Sequence, residues 1–389
     1  MNAPARKMPS ASVNTDNVPL FAFRSRNGTL TARGEGNPVP RGNVSTLAER
    51  VSYALRGANS DTIIAGALPF DRSAPDYLWQ TSDVIRTPLG LSQHWPDSHW
   101  QLRPEPDAKG YAEAVRRALA IMASEAGQVD ALVKIVLSRS LVATAEHAID
   151  LNALLARLSV DPAVMAFVVP LPPRNGHPRT LAGATPELLF SKRGTSIASH
   201  PLAGSAKRRP DLGEDAAAAA GLGRSVKDRD EHNIVVEFIL DTLAPYCRNL
   251  TRPEGTALVS TRSMWHLGTR IEGELKDADI PAIVLAAALH PTPAVCGLPR
   301  ERAASFIRDL EPHDRDFYAG TVGWCDGRGN GSWYVTIRCA EICGYQARLY
   351  AGAGIVPQSD PASEAAETGA KFGALLAALG ISAFKEERV

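Results

Sequence analysis

Apolar positions along this chain fall into short runs and alternations more often than into long helical stripes. Phe21-Ala22-Phe23 and Thr62–Leu68 read as strands, and Thr46–Gly57 as a helix. From Asp71 to Gln101 prolines and tryptophans occur without a period, which predicts loops. Tyr111–Ala126 has helical spacing and Ala131–Leu137 is a buried-strand candidate. A short helix after Asp150, a strand over Val164–Val169 and a turn at Pro170-Leu171-Pro172-Pro173 follow. The alanine-rich, acidic stretch Asp211–Gly221 predicts a helix. Phe317–Cys325, Gly331–Glu341 and Ala347–Ala351 read as a three-strand antiparallel meander, with turns at Asp326-Gly327, Asn330-Gly331 and Gly344. A helix over Pro361–Leu379 comes last. Strands and helices do not alternate and nothing repeats, so the fold class is α+β: one large domain of antiparallel sheets flanked by helices. That domain spans residues 19–389, behind a mobile tail over 1–18 rich in Ser, Asn, Pro and Ala.

Composition narrows the class. Apolar residues are 44% and charged residues 22% of the 389, as in an ordinary folded soluble protein. Lys+Arg and Asp+Glu both total 42, so no basic excess points to nucleic acid or an anionic membrane. Cys247, Cys296, Cys325, Cys339 and Cys343 are odd in number and form no CxxC pair, which argues against a disulfide framework and a structural zinc site. The first twenty residues lack an apolar core segment, and the run Ile280–Leu289 is too short to span a bilayer. The expected compartment is the cytoplasm.

Candidate chemistry begins where carboxylates interrupt apolar stripes. In KDRDEHNIVVEFILDTL, Glu231 shares a helical face with Ile234 and Val235. A carboxylate buried there must be paired, metal-bound or protonated; the plainer alternative is a half-exposed acid in the first turn. In DPASEAAETGAKFGALLAALG, Glu364, Glu367 and Lys371 occupy one face with Ala374, Leu375 and Ala378. A solvated Glu–Lys pair is the alternative reading. If the two helices converge, the acids demand a cation, and oxygen-only ligation suits Mg2+. Arg338, on the face of WYVTIRCA shared with Tyr334 and Thr336, lies near the Gly-rich turn LYAGAGIV and is suited to grip a carboxylate. Lys134 inside ALVKIVLS and Glu187 inside GATPELLF are ionisable groups in apolar surroundings. Burial favours their neutral forms, making a candidate base and acid.

Taken in order, GATPELLF, PLAGSAKR, KDRDEHN, HPTPAVCGLPR, GWCDGRGNGSWYVTIRCA, AGAGIVPQSDP and EAAETGAKF closely resemble the chorismate-utilising enzymes. That family includes isochorismate synthases, salicylate synthases and the large subunits of anthranilate and aminodeoxychorismate synthases. The resemblance covers about residues 131–379, and WHLGT, HPTPA and VGWCDGRGNGSW look most like the isochorismate synthases, as does a lysine at 134.

The resemblance implies an anthranilate synthase component I-like fold and a dianionic substrate, chorismate. Mg2+ held by Glu231 and Glu367, with Glu364 beside it or acting through water, would bind the ring carboxylate. Arg338 and the backbone amides around Gly352 and Gly354 would hold the enolpyruvyl carboxylate, helped by Tyr318. Lys371 would pair with a carboxylate at the metal end, Ala203, Gly204 and Ser205 would form the pocket floor, and His266 would meet the ring substituents. Lys134 would deprotonate a water attacking ring carbon 2, and protonated Glu187 would assist the hydroxyl leaving carbon 4.

Two rivals stay open at this point. A salicylate synthase would eliminate pyruvate in the same pocket; Tyr318 favours it and the small Ala294 disfavours it. A non-catalytic chorismate-binding protein is the other, against which every expected acid, base and ligand is present. Siderophore supply, a monomeric state, and a downstream isochorismatase or isochorismate-pyruvate lyase are further expectations from the resemblance.

Overall fold

The computed structural model describes residues 20–26, 28–86 and 98–381; the expected tail over 1–18 lies outside them. Among the described residues the period-two runs become three sheets of ten, nine and three strands. The ten-stranded sheet is built around Lys134–Ala145, Gln346–Ile355, His177–Thr185 and Met165–Arg174. The nine-stranded sheet is built around Leu188–Arg193, Gly331–Val335, Thr321–Asp326 and Ile63–Leu68. The small sheet joins Leu202–Lys207, Met264–Thr269 and Thr256–Ser260. Their central pairings are antiparallel, in keeping with the α+β expectation.

Each large sheet has two faces to cover, and the cores follow from that. The main core gathers Phe23, Ile63, Leu137, Phe190 and Trp333 with the helix Ala282–Leu289. A second core lies where the helices Leu151–Leu158 and Pro361–Ala378 cover Leu141, Ala143, Ala166 and Leu349. Both helices start where an aspartate accepts from free backbone N–H groups: Asp150 from Asn152 and Ala153, Asp360 from Ser363.

Three expectations need correction. The stretch Asp71–Gln101 contains the strands Tyr77–Thr81 and Val84–Ile85 and the start of Trp100–Glu105, while residues 87–97 lie outside those described. Neighbouring strands recruit these segments through backbone pairing, against a weak local pattern. The proline cluster at 170–173 is no turn: the strand Met165–Arg174 runs through it and turns at Asn175-Gly176, both at positive φ. Along Met165–Arg174 the strand Phe21–Ser25 pairs at Ala166–Val168 and not at the prolines, so nothing from that strand needs their missing N–H groups.

The third correction matters most for the site. Gly331–Glu341 is not one strand, and the meander does not exist as read. Gly331–Val335 belongs to the nine-stranded sheet, whereas Cys339–Cys343 belongs to the ten-stranded one. The chain crosses between them over residues 336–338, with Arg338 in the left-handed region at φ 51°. Alternation breaks there because the two halves answer to different sheets.

Trp333 is fully buried in the main core beside this crossing. Trp333→Ala is expected to cost about 3–5 kcal/mol of stability, read as a lower denaturant midpoint.

Candidate active site

The crossing opens a gap. Of the strand Gln346–Ile355, Cys339–Cys343 covers only Gln346 to Leu349, so from Tyr350 onward the described pairings of Gln346–Ile355 lie on its Lys134–Ala145 side alone. The half-paired edge becomes one wall of a cavity of about 780 Å³, open mouth included, lined by Tyr350, Ala351, Gly352 and Gly354. The glycines have a steric reason. A Cβ on Gly354 would stand 2.3 Å from Glu231 Oε1, and one on Gly352 would stand 2.9 Å from the Tyr318 hydroxyl.

Other elements bring the remaining walls. The small sheet supplies Ala203, Gly204 and Ser205 from one strand and His266 from its partner, with Ser205 opposite His266 in register. Gly204 has φ 73°, and a Cβ there would press on Asp228 at 2.9 Å. Ala294 and Tyr318 come from loops, and the Tyr318 ring stacks on Tyr350 at 4.7 Å between centroids. Glu187, Glu231, Arg338, Glu367 and Lys371 complete the set. Thus thirteen of the fifteen residues singled out in the sequence line one cavity. Lys134 does not line it directly; it is fully buried behind Gly354, its ammonium 3.0 Å from Glu231 Oε1. Glu364 is buried to the side, bonded to Lys227 at 2.6 Å.

The electrostatics follow from burial. Desolvation pushes the Glu187 carboxyl up to about 8, against opposing pulls from the Leu202 backbone, Lys134 and Lys371. Near neutrality it is largely protonated and able to donate. Burial, then Arg338 and Lys371, depress His266 to about 3, so the imidazole is neutral, with Nε2 lacking a partner. Burial lowers Arg338 to about 10, a value at which it is still a cation. Its side chain has no hydrogen-bond or ion-pair partner among the described residues. Burial raises Glu367, but Lys371, Ser205 and Lys227 outweigh it and hold the group down at about 2. Glu364 is raised by burial and by the Glu367 charge.

Sequence reasoning missed Lys227 and Asp228, which also line the cavity. They stand four and three positions before Glu231 on the helix Val226–Leu243, so the spacing that singled out Glu231 also selects them. Tyr350, on the face of a strand read only for its glycines, was missed as well.

Three buried or half-buried lysines compensate the carboxylates: Lys134 with Glu231, Lys227 with Glu364, and Lys371 with Glu367 at 2.7 Å. Among the described residues no three acidic, histidine or cysteine side chains gather closely enough to hold an ion alone. The donor set nevertheless fits Mg2+, which uses one or two carboxylates and completes its shell with water and substrate oxygens.

Residues 71–380 match the family described as chorismate binding enzyme, and the chain belongs to that family. Among its relatives is the isochorismate synthase DhbC of Bacillus subtilis, 41% identical over 377 residues, covering 93% of this chain and 94% of that protein. A vibriobactin-specific isochorismate synthase of Vibrio cholerae is 40% identical over 370 residues, covering 93% and 91% respectively. The crystal structure of DhbC from Bacillus anthracis, a protein assigned as a 2,3-dihydroxybenzoate-specific isochorismate synthase, superposes with TM-score 0.87 at 40% identity, covering 95% of this chain and 98% of the other. Anthranilate synthase component I of Streptococcus pneumoniae shares the fold, with TM-score 0.64 at 17% identity over 96% of this chain and 95% of its own.

Because Glu187 holds its proton more tightly folded than unfolded, it favours the folded state fully below about pH 4.5. That contribution is lost as pH rises through about 8. Metal-free wild type should lose denaturant resistance between pH 5 and 9 more steeply than Glu187→Gln. Equal slopes would mean the carboxyl ionises freely.

Proposed function

We propose that this chain is an isochorismate synthase, interconverting chorismate and isochorismate with Mg2+. The observation that carries the reading is Glu187, a buried carboxyl held protonated in the same cavity as the Arg338 guanidinium, which has no partner among the described residues. A dianionic substrate needs two separated cationic anchors. Arg338 supports one for the enolpyruvyl carboxylate, and its burial strengthens the charge-assisted hydrogen bonds it would make. Glu231 and Glu367 would hold Mg2+, with Glu364 linked through Lys227 or water, and the ion would supply the anchor for the ring carboxylate.

The residues of the chain then divide the proton work. Lys134 takes a proton from the water that adds at ring carbon 2. Glu187 gives its proton to the hydroxyl departing from carbon 4 while the ring double bonds shift. Neutral His266 offers an unpartnered nitrogen to a ring substituent, and the walls at Ala203, Gly204 and Ser205 fix the ring. Acid and base each contribute about a hundred- to ten-thousandfold. A second reading, pyruvate elimination to salicylate, is the one the family resemblance associates with a tyrosine at 318, and Tyr318 lines the cavity.

No helix of the described residues is long and apolar enough to cross a membrane. We place the protein in the cytoplasm as a monomer. It supplies isochorismate to a siderophore route through an isochorismatase or an isochorismate-pyruvate lyase.

With chorismate and Mg2+ the purified protein is expected to yield isochorismate alone, and chelation should stop turnover. Salicylate with pyruvate would shift the assignment to the second reading; no product would leave only a binding protein. Lys134→Ala and Glu187→Gln should each lower kcat at least about a hundredfold with chorismate still bound. Wild-type kcat/KM should fall above about pH 8, as Glu187 loses its proton.

A further inference from the structure

Five residues beyond Lys134 on the same strand, Arg139 is 1% exposed, a guanidinium sealed inside the protein. Its Nε donates to Thr368 Oγ1 at 2.8 Å and its Nη2 to the Ala365 carbonyl at 3.3 Å. The Thr368 hydroxyl donates to that same carbonyl at 2.8 Å. Two rings flank the charge, with Arg139 Cζ 5.8 Å from the centroid of Tyr111 and 5.6 Å from that of Phe372. The Tyr111 hydroxyl in turn donates to the Leu137 carbonyl at 3.0 Å, tying the cluster back to the strand.

Ala365, Thr368 and Phe372 form one face of the helix Pro361–Ala378, and each follows directly after Glu364, Glu367 or Lys371. Whatever fixes the first face fixes the second. The helix is rich in alanine and glycine from Ala362 to Ala378, so few bulky side chains besides Phe372, Leu375 and Leu376 key its register against the sheet. One residue of slip moves it 1.5 Å and turns it by 100°. A cluster of directional hydrogen bonds to a strand arginine removes that freedom, whereas apolar packing alone would not.

We propose that Arg139 is a positioning residue for the metal site: it locks the register of this helix against the Lys134 strand and so aims Glu364, Glu367 and Lys371. This rests on the reading of Glu231 and Glu367 as Mg2+ ligands. Burying a guanidinium is costly unless it is hydrogen-bonded and flanked by rings as it is in this cluster.

The test uses Mn2+ as the probe, titrated into the metal-free, substrate-free full chain and followed by electron paramagnetic resonance, with thermal melting measured alongside. Wild type should bind one Mn2+. Arg139→Met, which keeps the volume and removes the donors, should raise the Mn2+ Kd roughly ten- to a hundredfold. Arg139→Lys should fall between it and wild type, and Thr368→Val should raise Kd by less. A lower melting temperature with unchanged Kd in Arg139→Met and Thr368→Val would overturn the proposal, because support of the fold alone would do that. Should Arg139→Met fail to fold, Thr368→Val decides by the same criterion. Wild type that binds no Mn2+ would overturn the metal reading itself, and this proposal with it.

Discussion

Charge compensation around one cavity is the constraint on which this molecule turns. Glu231 and Glu364 are buried and Glu367 is half-buried, and an uncompensated carboxylate in such a place is costly to keep. Lys134, Lys227 and Lys371 meet them one for one. Those contacts join a strand of the ten-stranded sheet, the helix Val226–Leu243 and the helix Pro361–Ala378. The arrangement also explains how acidic groups can wait for a divalent cation: internal ammonium groups hold the place in its absence.

Much of this was legible in the residues, for identifiable reasons. Long amphipathic helices with capping aspartates, such as Pro361–Ala378, declare themselves locally. Glu231 and Glu367 are visible because a carboxylate on an apolar stripe contradicts its surroundings, and Glu187 because it stands just before the apolar Leu188-Leu189-Phe190 that opens a strand. Lys227 and Asp228, four and three positions before Glu231, carry the same helical spacing. The ordered motifs added the family, which no single periodicity would have supplied.

What stayed hidden depends on distant parts of the chain. No local pattern says that Val335 and Cys339 lie in different sheets, because each half reads as a good strand and the break is decided by which neighbours are available. Tyr77–Thr81 and Trp100–Glu105 are strands because Ile63–Leu68 and Lys134–Ala145 offer edges to them. The prolines at 170, 172 and 173 sit in a strand because the adjacent one stops at Ala166–Val168 pairing. In each case the tertiary partner, not intrinsic preference, settles the conformation.

Gly352 and Gly354 show that room for reactive groups can be made by omission. Two absent methyl groups let a carboxylate and a phenol approach the main chain and stand where those methyls would be. A methyl at position 354 would claim the space of the Glu231 oxygen. The site would then be silenced from within by its own backbone, with every reactive group still in the chain.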